Sequence, residues 1–238
     1  MKILSLDCSA VPCSAAILDD EKIIASSFIN VKLTHSQTLM PMVENLFKAS
    51  DMTFSDIEGI AITAGPGSFT GVRIGVSAVK GLAAPKNLPC VAVSTLYSMA
   101  YNFSDRDCIV CAVMDARCNQ VYNALFEIEN GVVSRLCDDR ALMCDQLKSE
   151  IEELSKTYAK DIIIVGDGAD LFFPYVCEIE KVEKVNESKK YQNAISVGFA
   201  ALPDFKAGNT LSAASLLPVY LRLPQAEREL KLKRSKEK

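Results

Sequence analysis

One pattern occurs twice in this chain, and it restricts the fold more than any other feature. "KILSLD" reads as a strand ending in Asp7, "CSAAIL" as a second strand and "KIIASSFI" as a third, with "SAVP" and "DDE" as the turns. Further on, "CIVCAVMDAR" is a strand ending in Asp115 and "QVYNALFEI" its hairpin partner, and Asn-Gly turns the chain into "VVSRLC". Each meander is followed by a segment of helical spacing and then a strand of buried type. These are "HSQTLMPMVENLFKAS" with "IEGIAIT", and "CDQLKSEIEELSKTY" with "DIIIVGDGA". Residue identity between the halves is slight, so the duplication is one of pattern. It predicts an α/β chain of two similar lobes, residues 1–104 and 105–238, joined near Ser104–Asp107. A chain of 238 residues can give each lobe its own core.

Within the first lobe, "TAGPGSFTGVRIG" (Thr63–Gly75) joins a strand to a helix expected over Phe69–Ala84. It has the look of a phosphate loop. A Walker A loop needs a lysine to reach the outer phosphates, and Val72 stands in that place. The dinucleotide spacing also fails, being G-x-G-x-x-x-G. Amides at the helix start can still hold an anion; alternatively the loop is a tight turn with Ser68 or Thr70 as N-cap. The helix carries Gly71, Gly75 and Gly81, and each interior glycine costs about 1 kcal/mol relative to alanine. Gly71, Gly75 and Ala78 share one face, which lets another backbone approach: this chain's own sheet, or a partner helix. In the preceding helix Leu39, Met42, Val43, Leu46 and Phe47 form one apolar stripe. Pro41 fits best in a first turn, so that helix is expected to start near Ser36 or Thr38.

Composition narrows the chemistry. The net charge of −4 disfavours unaided grip on a nucleic-acid backbone. Asp7 interrupts the apolar start too early for a secretory segment, and no run has membrane-span length. Nine cysteines without such a segment suggest free thiols in a reducing cytoplasm. Cys108 and Cys111 form a C-x-x-C that could be half of a zinc site, but no second close pair completes it, and the apolar run around them suits buried thiols packed as small hydrophobes. His35 is the sole histidine, with Leu39 four residues on, so neither H-E-x-x-H nor H-x-x-x-H exists. A histidine-held metal and a serine triad are both disfavoured. Asp7 and Asp115, at strand ends facing an interlobe cleft, could carry Mg²⁺ with a phosphate, and Gly166 and Gly168 in "GDGA" could admit an adenosine. Each is equally readable as a turn. The tail "QAERELKLKRSKEK" is expected to be a charged, frayed helix, with an RNA-contacting arm as the alternative.

"MKILSLDCS", "HSQTLMP", "GPGSFTGVRIG", "VSTLYSMA", "DAR", "GDGA" and "PVYLR" occur in that order, and with them the chain resembles the bacterial TsaB family, also called YeaZ, from Met1 to about Arg228. The resemblance implies two ribonuclease-H-like lobes of the actin/Hsp70/sugar-kinase (ASKHA) type. It implies a non-catalytic subunit of the machinery that makes threonylcarbamoyladenosine beside the tRNA anticodon. The subunit would pair with a catalytic, metal-binding paralogue, TsaD, and an ATPase, TsaE, and would meet tRNA only through that complex. It would have no cofactor or metal of its own, with ATP or ADP at a subunit interface as a possibility. On this chain the implied partner surface includes Leu39, Met42, Val43, Leu46, Gly71, Gly75 and Val79. In isolation a homodimer would cover the same kind of face. Cys8 departs from the threonine usual in the family after the aspartate, which weakens phosphate binding at Asp7–Ser9. The remaining alternative is an active kinase or ATPase of the same fold using Asp7 and Asp115.

Overall fold

The computed structural model describes residues 1–222. The charged tail, Gln225–Lys238, lies outside them. The first lobe runs β1 (Lys2–Asp7), β2 (Cys13–Asp19), β3 (Lys22–Ile29), α1 (His35–Ser50), β4 (Gly59–Gly65), α2 (Phe69–Ala83), β5 (Cys90–Ser94) and α3 (Thr95–Ala100). The second repeats it: β6 (Cys108–Arg117), β7 (Gln120–Glu129), β8 (Val132–Arg135), an added β9 (Arg140–Met143), α4 (Cys144–Thr157), β10 (Ile162–Val165), α5 (Ala169–Val176), β11 (Val182–Lys184) and α6 (Ala194–Ala207).

The two sheets have one topology. The first has the order β3-β2-β1-β4-β5, with antiparallel pairs in the meander and parallel pairs from β1 outward. The second, read from β8, has the order β8-β7-β6-β10-β11, with the same sequence of antiparallel and parallel pairs. The duplication of pattern is therefore a duplication of fold.

Helices cover both faces of each sheet, which is why β1 is apolar on both sides. Leu4 and Leu6 of β1 meet Leu39, Met42, Val43 and Leu46 of α1 and Val72, Val76 and Val79 of α2. Ile3 points the other way, into Val197, Ala201 and Phe205 of α6. In the second lobe α4 and α5 fill one face through Leu147, Ile151 and Phe172. Leu96, Met99 and Ala100 of α3 fill the other. Each lobe thus sends its last helix to the opposite lobe's sheet. A division between residues 104 and 105 separates the sheets but not these helices: α6 lies in the second half of the sequence and packs on the first sheet.

One local expectation changes. The α1 helix starts at His35 and runs through Pro41. Pro41 lies on the exposed face, where water can take the carbonyl that its missing N–H leaves free. Cys108 and Cys111 are buried on opposite faces of β6, in separate cores, so they cannot chelate one ion.

Candidate functional site

A cleft of about 870 Å³ separates the lobes. Its first wall is the β1–β2 turn at Ser9–Val11 with His35 and the Pro66–Thr70 loop. Its second wall is Met114–Arg117 with Asp167, and residues 219–222 cross its rim. That rim is a strap joining the lobes. The Val219 amide donates to the Ala64 carbonyl at 2.7 Å, and the Arg222 guanidinium to the Ala116 carbonyl at 2.7 Å. Arg73 of α2 lies 3.7 Å over the Phe69 ring and donates from Nε to the Tyr220 hydroxyl at 2.7 Å.

The glycine loop uses its own amides. Ser68 caps α2, as the hydroxyl expectation allowed, accepting from the Gly71 amide at 3.2 Å. The Ser68 amide donates to the Ser9 carbonyl at 2.6 Å. Two amides of the kind a phosphate would use, those of Ser68 and Gly71, are thus engaged inside the chain. Gly65 has φ +121°, a conformation that favours glycine, and a Cβ at Gly67 would strike the Ser9 carbonyl.

Of the four residues expected to hold a nucleotide, three are enclosed by the chain itself. Asp7 is fully buried, and its carboxylate accepts from the Ser9 amide at 3.2 Å and the Ser9 hydroxyl at 3.0 Å. Burial raises its pKa against the pull of these bonds and of nearby Thr63. Gly166, at φ +113°, and Gly168 are glycines because the β10–α5 turn lies on the backbone of β6. A Cβ on Gly166 would meet the Val113 carbonyl, and one on Gly168 would stand 2.8 Å from the Met114 carbonyl carbon. Asp115 alone of the four lies open in the cleft, accepting from the Arg117 amide at 2.6 Å. The loop has no lysine, and Asp7 is closed off from the cleft.

The residues expected to meet a partner are also displaced from that role. Leu39, Met42, Val43, Leu46 and Val79 are buried in the first lobe's core. A Cβ on Gly71 would strike the Cys8 carbonyl and stand 2.9 Å from His35 Nδ1; on Gly75 it would be 3.0 Å from Ile62 Cδ1. The small face of α2 receives the chain's own β1 end and β4, the intramolecular alternative. Apolar periodicity marks the side of a helix that is buried without saying by what, and here the sheet takes it. The faces left open are the other ones: Met40 on α1 is 42% exposed, and Gly81 on α2 has open space where a Cβ would go.

His35 stands nearly buried in the cleft wall. It is 9% exposed, with Nε2 3.4 Å from the Val11 carbonyl. Sequence reasoning passed over Asp167, although it stands inside the quoted "GDGA". Its Oδ1 is buried without a hydrogen-bond partner, and burial together with the Asp115 charge pushes its pKa up to about 7. The strap was also missed, since "PVYLR" has no periodicity to mark it.

Two lobes of one topology, exchanged last helices and an interlobe cleft define a protein of the actin/Hsp70/sugar-kinase class. The fold, at 15% identity, is also that of (R)-2-hydroxyglutaryl-CoA dehydratase component A from Acidaminococcus fermentans, with a TM-score of 0.50 over 88% of this chain and 99% of that one. The family model described as TsaD, tRNA N6-adenosine threonylcarbamoyltransferase, matches residues 22–230. A Bacillus subtilis protein, named tRNA threonylcarbamoyladenosine biosynthesis protein TsaB, is 30% identical over 227 residues, 95% of this chain and 96% of its own. The structure of YeaZ from Pseudomonas aeruginosa superposes with a TM-score of 0.76 at 28% identity, over 92% of this chain and 99% of that one. The chain belongs to the TsaB family.

Proposed function

We propose that this protein is a non-catalytic subunit in tRNA threonylcarbamoyladenosine biosynthesis, binding and activating the catalytic paralogue TsaD together with the ATPase TsaE. Family membership supports the pathway. The observation that carries the non-catalytic role is the single histidine. His35 stands nearly buried in the cleft wall, and four residues later Leu39 is buried where a metal-binding helix would repeat the imidazole. One imidazole does not hold a catalytic metal. The paralogue docks on the outward faces of α1 and α2, centred on Met40, while their inward stripes keep the lobe folded. In isolation two copies cover this face in a homodimer. ATP or ADP in the assembly is held between subunits and tRNA is met through the complex, in keeping with the engaged amides of the glycine loop and the mild negative charge. The working compartment is the cytoplasm. Among the described residues no helix is long and apolar enough to cross a membrane.

The test is gel filtration of this chain with purified paralogue, followed by a tRNA modification assay with and without it. A complex that raises modification supports the proposal; two separate peaks with unchanged modification refute it. The cleft itself favours one competing reading, an ATPase using Asp115. Calorimetry with ATP and Mg²⁺ on the isolated chain separates the two, since tight binding with turnover belongs only to the ATPase.

A further inference from the structure

We propose that Cys8 and Cys13 are a peroxide-reactive thiol pair that closes to a disulfide within the turn walling the cleft. Cys8 follows β1 and Cys13 opens β2. The last paired residues of this hairpin are Asp7 and Ser14, so one residue further places Cys8 opposite Cys13. Directly opposed residues of antiparallel strands have Cα atoms about 4.5–5.5 Å apart, inside the span a disulfide accepts. The two sulfurs are already 3.8 Å apart. A disulfide needs about 2.05 Å, so side-chain rotation with little backbone movement closes it.

Both thiols are 1% exposed, in the apolar layer beneath α1 and α2. A small oxidant of the peroxide class suits such a site better than a bulky disulfide. Either thiol can donate in the contact between them, so either sulfur can attack first and the other resolve. With Cys13 as the attacking sulfur, its thiolate attacks one oxygen of hydrogen peroxide, the O–O bond breaks, and Cys13 sulfenic acid forms with hydroxide, which is protonated to water. The Cys8 sulfur then attacks the Cys13 sulfur. The S–O bond breaks, the S–S bond forms, and the departing hydroxide takes the Cys8 proton as a second water. Two thiols and one peroxide give one disulfide and two waters. The loop closed holds only Ser9–Pro12, so the bond restrains the unfolded chain little; it is a reversible modification rather than a structural staple.

The Cys8 carbonyl lies against Gly71, and the next carbonyl, of Ser9, receives the Ser68 amide. Drawing the sulfurs together therefore acts on the first turn of α2 and on the cleft wall.

The experiment treats the full chain with hydrogen peroxide, then denatures, alkylates and digests with trypsin. Peptide Ile3–Lys22 contains these two cysteines and no other. The expected product is this peptide without alkyl groups and lighter by two hydrogens than the dithiol, regaining two alkyl sites after dithiothreitol. Cys8→Thr and Cys13→Ser should each leave one alkylatable thiol in the peptide. Replacing the exposed Cys118 and Cys177 by serine should leave the disulfide intact. Two alkyl groups on the peptide, at a peroxide dose that has already oxidised Cys118 and Cys177, would overturn the proposal. So would sulfinic acid on either cysteine beside an alkylatable partner, or a link from either thiol to Cys118 or Cys177.

Discussion

Asp167→Asn should make the protein more stable at pH 8 and leave it nearly unchanged at pH 4. In the folded chain burial and the Asp115 charge raise the Asp167 pKa to about 7, and its Oδ1 has no partner. In the unfolded chain the carboxyl titrates near its ordinary value of about 3.9. Below that value it is protonated in both states and costs nothing. As pH rises the unfolded chain ionises first, so stability falls through the window from about 4 to about 7, and then levels off once the folded group has ionised. Three pKa units at about 1.4 kcal/mol each set a ceiling near 4 kcal/mol. The side chain borders water in the cleft, which lowers the realised cost to about 1–2 kcal/mol. The amide keeps the shape and removes the charge. Urea denaturation of wild type and variant at both pH values measures the difference, which includes the repulsion between Asp167 and the Asp7 charge. A stability difference that is the same at pH 4 and pH 8 would refute the reasoning.

Two glycines of α2 should respond with opposite signs. Gly71→Ala drives a Cβ into the Cys8 carbonyl and should cost about 2–3 kcal/mol in a denaturant titration. Gly81→Ala meets nothing within 4 Å and should gain up to about 1 kcal/mol from helix propensity. Met40→Asp, on the open face of α1, should leave the thermal midpoint within a degree or two while weakening a complex with the catalytic paralogue at least about tenfold, read by calorimetry.

The doubled strand pattern was legible because antiparallel meanders alternate with tight turns, and both aspartates fell where the pattern placed them, at the ends of β1 and near the end of β6. The α6 helix was not legible: it is apolar nearly all round, so its hydrophobic periodicity is weak, and its packing on the first sheet is a long-range choice that local sequence does not encode. The partner stripe shows the limit from the other side. Leu39, Met42, Val43 and Leu46 were correctly grouped as one face, yet the same spacing serves a core and an interface. Gly71 and Gly75 were correctly read as sites of close approach, but only the fold reveals that Cys8 and Ile62 are what approach. The glycine loop lacks its lysine in sequence; its engaged amides become visible only once the Ser9 turn is folded against it.

The central claim is that this chain acts through a partner and performs no transfer itself. Single-turnover transfer of the threonylcarbamoyl group from its adenylate to tRNA, with this chain alone, the catalytic paralogue alone and the two together with the ATPase, tests it most directly. The account predicts no transfer by this chain alone and a large gain when it joins the paralogue. Transfer by this chain alone, or an undiminished rate when it is left out, would contradict it.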